Sequence, residues 1–458
     1  MKCLVPQLAW WLDTSPLFSV DFQPKNDDKE LRIATCGTDT HIRIWWLKLE
    51  LEADGNKDKQ IDIELRADLT RHQRTVNIVR FSNSGEILAS GDDEANIILW
   101  RVLSSEAPQL FDSTENKENW QVHKILRGHV EDICDLQWSL RDSCLVSGSV
   151  DSTAIIWDAE TGRSMSFLKE RKGFIQGVAY DPRGQFVVTL SSDRQMYVYS
   201  THTRKRVWVA SKAEVVMGDG SKLSTRLFYD DTLKSFCRRP DFSPDGEFLI
   251  APSGVIEKDG KLTNCVYIFH RSDFSKPIAY IPTATKFTTT VRFSKKFYKT
   301  RREPGSETVI KLPYRMIFAA ATVDSIMVCD TETFTPFAMI ADAHYARISD
   351  LTWSPDNSKL LASSTDGYCS FVFFEKCELG DLYTGDLPHL SAIDEIPKRK
   401  RKPKKEGAES NESPSGKKGD LDDEGDNEGD SDKMDSDEDE VNLDETQNSN
   451  DSGDEKSS

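Results

Sequence analysis

Short strand-like stretches that end on an aromatic residue and a polar turn recur along most of the chain. They are Val20-Asp21-Phe22-Gln23, Arg80-Phe81-Ser82-Asn83, Gln137-Trp138-Ser139-Leu140, Ala179-Tyr180-Asp181-Pro182, Asp241-Phe242-Ser243-Pro244, Arg292-Phe293-Ser294-Lys295 and Thr352-Trp353-Ser354-Pro355. Successive aromatics lie 59, 57, 42, 62, 51 and 60 residues apart, which predicts seven copies of a unit of about 42 residues, most of them lengthened by insertions. The segments between these marks are rich in β-branched and aromatic residues, as in Ile42-Arg43-Ile44-Trp45, Ala154-Ile155-Ile156-Trp157 and Met196-Tyr197-Val198-Tyr199. Each unit therefore reads as a set of short strands.

A second periodicity falls in register with the first. His129 precedes Trp138 by 9 residues, Asp151 by 22 and Trp157 by 28, and His72 stands in the same relation to Phe81, Glu94 and Trp100. His344 keeps the spacing to Trp353 and Asp366. The first and fourth copies lack the histidine but retain an aspartate six residues before an aromatic, Asp39 to Trp45 and Asp193 to Tyr199. This is the pattern of WD repeats, and it predicts an all-β fold, a seven-bladed β-propeller. The physical logic is that a small twisted sheet cannot bury both faces alone, whereas a closed ring buries each blade against two neighbours. The acidic residue suits the backbone of the turn before the third strand. His129, Ser147, Asp151 and Trp157 are expected to form one hydrogen-bonded set, with His72, His344 and Asp366 in equivalent places.

Ring closure needs one further strand, and Cys3 to Trp10 is expected to supply it beside residues 370–374. Residues 48–68 and 103–122 read as charged links between blades, and residues 211–236 and 295–313 as insertions in the fifth and sixth copies, where a propeller acquires loops for partners. The predicted organisation is a propeller over 1–376, a linker over 377–397, a basic run over 398–405 and an acidic tail over 406–458.

Charge separates these parts. The formal charge of the 458 residues is −18, but residues 406–458 alone hold 21 acidic and 4 basic residues, so the rest of the chain is close to neutral. The tail has no aromatic residue and too little apolar surface to offset the entropy of ordering, which predicts disorder. Such a tail binds or shields a basic partner, or keeps the chain soluble. Ser436 and Ser452 each lie three residues before an acidic residue, and phosphorylation there would add charge of the same sign. Just before the tail, Lys398, Arg399, Lys400, Arg401, Lys402, Lys404 and Lys405 form a run interrupted only by Pro403, the pattern of a nuclear-import signal. Point charges of this kind meet phosphates without reading bases, so any contact with DNA is expected to be indirect.

Other chemistry is sparse. The nine cysteines contain no CxxC pair and are odd in number, which fits reduced, buried thiols better than disulfides or zinc. No P-loop, GxSxG elbow or HExxH occurs, and the paired carboxylates Asp92–Asp93 and Asp230–Asp231 fall in predicted turns. No catalytic residue, metal or cofactor is assigned. No apolar run approaches the roughly 18 residues of a membrane helix.

The strings outside the repeat narrow the reading. Asn116-Lys117-Glu118-Asn119-Trp120, the segment 230–239 (DDTLKSFCRR), Leu312-Pro313-Tyr314-Arg315, the segment 363–372 (SSTDGYCSFV) and the segment 85–91 (GEILASG) together resemble the WD-repeat middle subunits of chromatin assembly factor 1. The resemblance implies a non-catalytic subunit of a nuclear three-subunit complex that deposits histones H3–H4 on DNA during replication and repair. Its partners would be the large and small subunits, H3–H4 and an anti-silencing-type histone chaperone. In that family the donor-chaperone contact belongs to a basic-then-apolar tail motif, whereas the basic run here is followed by Glu406-Gly407-Ala408-Glu409-Ser410 with no Ile or Leu close behind. Lys234, Arg238 and Arg239 in the family-like insertion are the expected docking residues. The competing reading is a substrate receptor of a cullin-type ubiquitin ligase, which often has Arg two residues after a Trp-Asp pair; here Trp157-Asp158 is followed by Ala159-Glu160. A cytoplasmic signalling scaffold, the third reading, is disfavoured by the basic run.

Overall fold

The computed structural model describes residues 1–4, 15–24, 30–50, 60–103, 116–169, 173–216, 222–258, 261–283, 286–301 and 312–387. The chain divides into two units, Met1–Arg399 and Lys400–Ser458, and the described residues all belong to the first.

Among the described residues, seven four-stranded antiparallel sheets form the blades. Blade 1 comprises Leu17–Phe22, Glu30–Gly37, Ile42–Glu50 and Gln60–Leu69, from inner to outer strand. Blade 2 comprises Val76–Phe81, Ile87–Asp92, Ile97–Val102 and Trp120–Leu126; blade 3 Ile133–Trp138, Cys144–Ser149, Thr153–Asp158 and Arg163–Lys169. Blade 4 comprises Ile175–Tyr180, Phe186–Ser191, Met196–Ser200 and Arg206–Ala210; blade 5 Asp241–Phe242, Phe248–Lys258, Lys261–His270 and Ala279–Pro282. Blade 6 comprises Thr288–Lys299, Tyr314–Thr322, Ser325–Asp330 and Pro336–Ala341. Blade 7 takes Ile348–Trp353, Lys359–Ser364 and Cys369–Phe373 from one end of the chain and Lys2–Leu4 from the other. That last strand pairs Lys2 with Phe373, Cys3 with Val372 and Leu4 with Phe371, closing the ring as expected; residues 5–10 of the expected strand lie outside the described residues.

Burial explains why the sequence reads as it does. The inner strands Val76–Phe81, Ile133–Trp138 and Ile175–Tyr180 are covered on both faces by adjacent blades, so apolar residues run on with little alternation. The outer strands Trp120–Leu126 and Arg163–Lys169 face water, and exposed positions interrupt the apolar ones. The apolar core is divided into seven clusters, one per blade–blade interface. The closing cluster joins Leu17, Trp45 and Leu47 of blade 1 to Leu361, Phe371 and Phe373 of blade 7, with Leu4 against it. Each fully buried Ile or Leu contributes roughly 1.5–3 kcal/mol. Gly91 and Gly148 permit this packing: a Cβ there would lie 2.6 Å from Ile133 Cγ2 and 2.7 Å from Ile175 Cγ2 of the next blade.

Three expected boundaries are corrected. Much of 48–68 is strand, because Gln60–Leu69 pairs with Ile42–Glu50 as the rim of blade 1, where solvent accepts the charged side chains. Residues 120–122 likewise begin the outer strand of blade 2. The chain also stays with the ring beyond 376. A short helix, Lys376–Leu379, is followed by a segment whose Asp381 carbonyl accepts from Lys299 N at 2.8 Å, while Tyr383 N donates to Phe297 O at 2.9 Å. Blade 6 has an inner strand longer than its neighbours', and residues 381–383 cover its free edge.

Candidate functional site

The predicted histidine set is assembled on blade 3. His129 Nε2 lies 2.6 Å from Ser147 Oγ, His129 Nδ1 lies 2.9 Å from Asp151 Oδ2, and Trp157 Nε1 donates to Ser147 Oγ at 2.8 Å. Asp151 Oδ1 also accepts from the backbone N of Thr153 at 2.9 Å, which fixes the turn. Burial works against ionisation of Asp151, but hydrogen bonds from His129 and Thr153 outweigh it and hold the carboxyl down at about 2. On blade 7, His344 meets Asp366 at 3.1 Å and Ser370 at 2.9 Å; here the hydroxyl comes from the third strand, because Ala362 occupies the equivalent place on the second. On blade 2 the repeat spacing points to Glu94, yet His72 pairs with Asp92 at 2.7 Å and with Ser90 at 2.7 Å, and Trp100 Nε1 donates to Ser90 at 2.9 Å. Glu94, one methylene longer, turns outward to Arg74. The grouping of Ser, His and Asp resembles a hydrolase triad, but Ser147 and Ser90 are fully buried and spend their oxygens on indole N–H groups. The sets pin the turns and strands of blades 2, 3 and 7.

The most concentrated charge lies on the ring axis. Inner-strand side chains there take up backbone N–H groups of the next blade, which no strand ladder satisfies. Asp21 accepts from Phe81 N at 2.8 Å, Gln137 from Tyr180 N at 2.8 Å, Asp241 from Phe293 N at 2.9 Å and Asp135 from Val178 N at 3.0 Å. Asp350 is held bidentately by Arg80, at 2.7 and 3.0 Å, and accepts from Ser19 at 2.6 Å. Burial opposes the charge on Asp350, but Arg239 and Arg80 overcome it and hold its carboxyl below the usual range. Burial pushes Asp241 up to about 7, outweighing the hydrogen bonds from Phe293 N and Gln137 and the charges of Lys295 and Arg80.

The segment 230–239 reaches this axis, and two docking assignments are thereby corrected. Arg238 is 0% and Arg239 1% exposed, so neither offers a surface charge. Arg238 gives its guanidinium to the carbonyls of Tyr229 and Asp230, and burial lowers its pKa to about 10. Arg239 donates to Ser349 O at 2.9 Å, Asn77 O at 3.0 Å and Phe18 O at 3.3 Å, and lies 3.4 Å from both Asp135 and Asp350. Its backbone bonds Thr289 O and Val291 N of blade 6, and the preceding N–H bonds Gln176 O of blade 4. This stretch takes the place of the missing upper half of the blade 5 inner strand, and its two arginines reach every other blade. Lys234 is exposed. The sequence signal for the axial group was the run of polar residues one and three positions before the repeat aromatics, among them Ser19, Asp21, Arg80, Asp135, Gln137 and Asp350.

Two cavities are lined by residues of the inner strands and the turns beside them. One, of about 210 Å³, is lined by Asp21, Arg80, Asp241, Arg292, Lys295 and five of the seven repeat aromatics. The other, of about 380 Å³, lies towards the turns that carry the histidine sets. No group of His, Cys, Asp or Glu suited to hold a metal occurs among the described residues, and no helix among them is long and apolar enough to cross a membrane. Eight cysteines are free thiols there. The basic run Lys398–Lys405, Ser436 and Ser452 lie outside the described residues.

A closed seven-bladed ring with pinning histidine sets and buried charges where its inner strands meet defines a WD-type propeller. The sequence model of the CAF1B/HIR1 β-propeller domain matches residues 1–379, the whole ring, and the chain belongs to that family. It is 42% identical over 395 residues to the B subunit of chromatin assembly factor 1 of Gallus gallus, covering 83% of this chain and 69% of the relative. It is 33% identical over 422 residues to the B subunit of chromatin assembly factor 1 of Saccharomyces cerevisiae, covering 84% and 89%. Protein HIR1 of Chaetomium globosum is 30% identical over 368 residues, which cover 78% of this chain but 33% of HIR1.

Proposed function

We propose that this chain serves as the middle subunit of chromatin assembly factor 1, a non-catalytic propeller that scaffolds deposition of histones H3–H4 on DNA in replication and repair. The observation that carries the reading is the 42% identity running through 83% of the chain, loops included, to a chromatin assembly factor 1 subunit. HIR1 is less similar and extends far beyond the match. The chain works through contacts with the large and small subunits and with H3–H4, and DNA is met only indirectly; a contact with a donor chaperone of the anti-silencing type would have to use a segment other than the basic run, which lacks the apolar residues of the family motif. Lys234, exposed on the family-like insertion, is the docking residue that remains from the sequence reading.

The run Lys398–Lys405 directs the chain to the nucleus. Imaging a fluorescent fusion that lacks it should show cytoplasmic accumulation; unchanged nuclear signal would remove this part of the reading. Affinity purification from nuclei with mass spectrometry tests the whole. Recovery of the large assembly-factor subunit with H3–H4 is expected, and recovery of a cullin adaptor in their place would overturn it.

A further inference from the structure

The cavity of about 380 Å³ falls within the range of about 300–1,000 Å³ usual for ligand sites. Arg239 lines it, and that cation is locally compensated: the guanidinium bonds three carbonyls and lies 3.4 Å from both Asp135 and Asp350. Arg347, on the blade 7 side, lines it as well and gives Nη1 to the carbonyl of Lys234. The wall from blades 2 and 3 is different. It presents Asp93 and Asp132, and among the described residues no Lys or Arg pairs with either; Asp93 accepts only from Asn77 Nδ2, at 2.6 Å. Burial, and then the charge of Asp93 beside it, push the Asp132 carboxyl above its ordinary range. Phe236 is 39% exposed at the same mouth.

On the same side of the ring, two apolar side chains stand in water on anchored backbone. Val130 and Tyr345 follow the pinning histidines of blades 3 and 7, with exposures of 81% and 102%. Their N–H groups are fixed on Asp151 and Asp366 at 3.1 and 3.0 Å. Rigid, exposed apolar side chains beside a partly desolvated pair of carboxylates form an interaction surface with defined chemistry.

We propose that this mouth docks an extended segment of a partner protein through one lysine or arginine side chain that lies next to an apolar residue. The aliphatic stem of the cation lies along Phe236, as long charged side chains do on apolar surface. Its head meets Asp93 and Asp132, and the neighbouring apolar residue covers Val130, two positions before Asp132. The same carboxylates disfavour a phosphate at this wall.

The test uses the full chain and a fluorescein-labelled synthetic peptide in which Lys and Arg alternate with Leu, beside a counterpart with Glu for every cation. The acidic tail also attracts cations, so two double variants are compared: Asp93→Asn with Asp132→Asn at the mouth, and Asp437→Asn with Glu438→Gln in the tail. Fluorescence anisotropy at about 0.15 M salt should show saturable binding of the basic peptide alone. The mouth variant should weaken it at least tenfold, the tail variant less than twofold, and Phe236→Ala about fivefold, with melting temperatures close to that of the unaltered chain. No saturable binding, equal losses in the two double variants, or undiminished binding to the mouth variant would overturn the proposal.

Discussion

Asp241 and Asp151 show how burial and partners move the same side chain in opposite directions. Asp241 is raised to about 7 in the folded ring by burial, so between about pH 4 and 7 the folded state holds a proton that the unfolded chain has released. Stability should fall as pH rises through that window, and Asp241→Asn should flatten the slope and leave the protein at least as stable as the parent at pH 8, read by urea unfolding. Asp151 is lowered to about 2, so its contribution is present above about pH 4 and is lost as pH falls towards 2. Ser147→Ala orphans a buried imidazole nitrogen and a buried indole N–H, each costing about 1–3 kcal/mol. Glu94→Ala, which follows the repeat spacing but not the hydrogen bonds, should change stability by about 0.5 kcal/mol or less. If calorimetry shows the two substitutions to be equivalent, the assignment of the set fails. At this scale spacing identified His72, His129 and His344 correctly and missed Asp92, because a carboxylate two residues earlier reaches the same nitrogen.

Blades 1 to 4 and 7 were legible as elements because their aromatics, turns and strand segments keep a common register. The outer strand of blade 1 was not, since a rim strand in water tolerates residues such as Asp62, Glu64 and Arg66 that read as a link. Residues 381–383 were equally hidden, as nothing local marks three residues that pair with an edge some eighty positions away. The closing strand was expected from the requirement for a ring rather than from its own weak pattern. Deleting residues 1–4 should uncover the Cys369–Phe373 edge and the cluster around Phe371, lowering the melting temperature and promoting concentration-dependent association. A truncated chain that melts with the parent and stays monodisperse by light scattering would show that closure does not depend on this pairing.

For the whole molecule, the decisive residue is Arg239. Arg239→Ala removes one of the cations facing the buried carboxylates Asp135 and Asp350, and breaking a buried pair in this way costs about 3–5 kcal/mol. A loss below about 1 kcal/mol in urea unfolding would show that the axis is held by Arg80 alone. The sequence by itself determined the seven repeats, the ring that must close them, the seat of the charge in the last 53 residues and the basic run before it. These are matters of period and composition, which a linear chain displays directly. Only the tertiary structure decided that Arg238 and Arg239 are internal, that six other blades meet at them, and that Asp93 and Asp132 share the wall of one cavity. In sequence an arginine in an insertion looks like a surface charge. Here it becomes a core residue because curvature of the ring brings carbonyls and carboxylates from distant blades to the one point where a guanidinium can satisfy them.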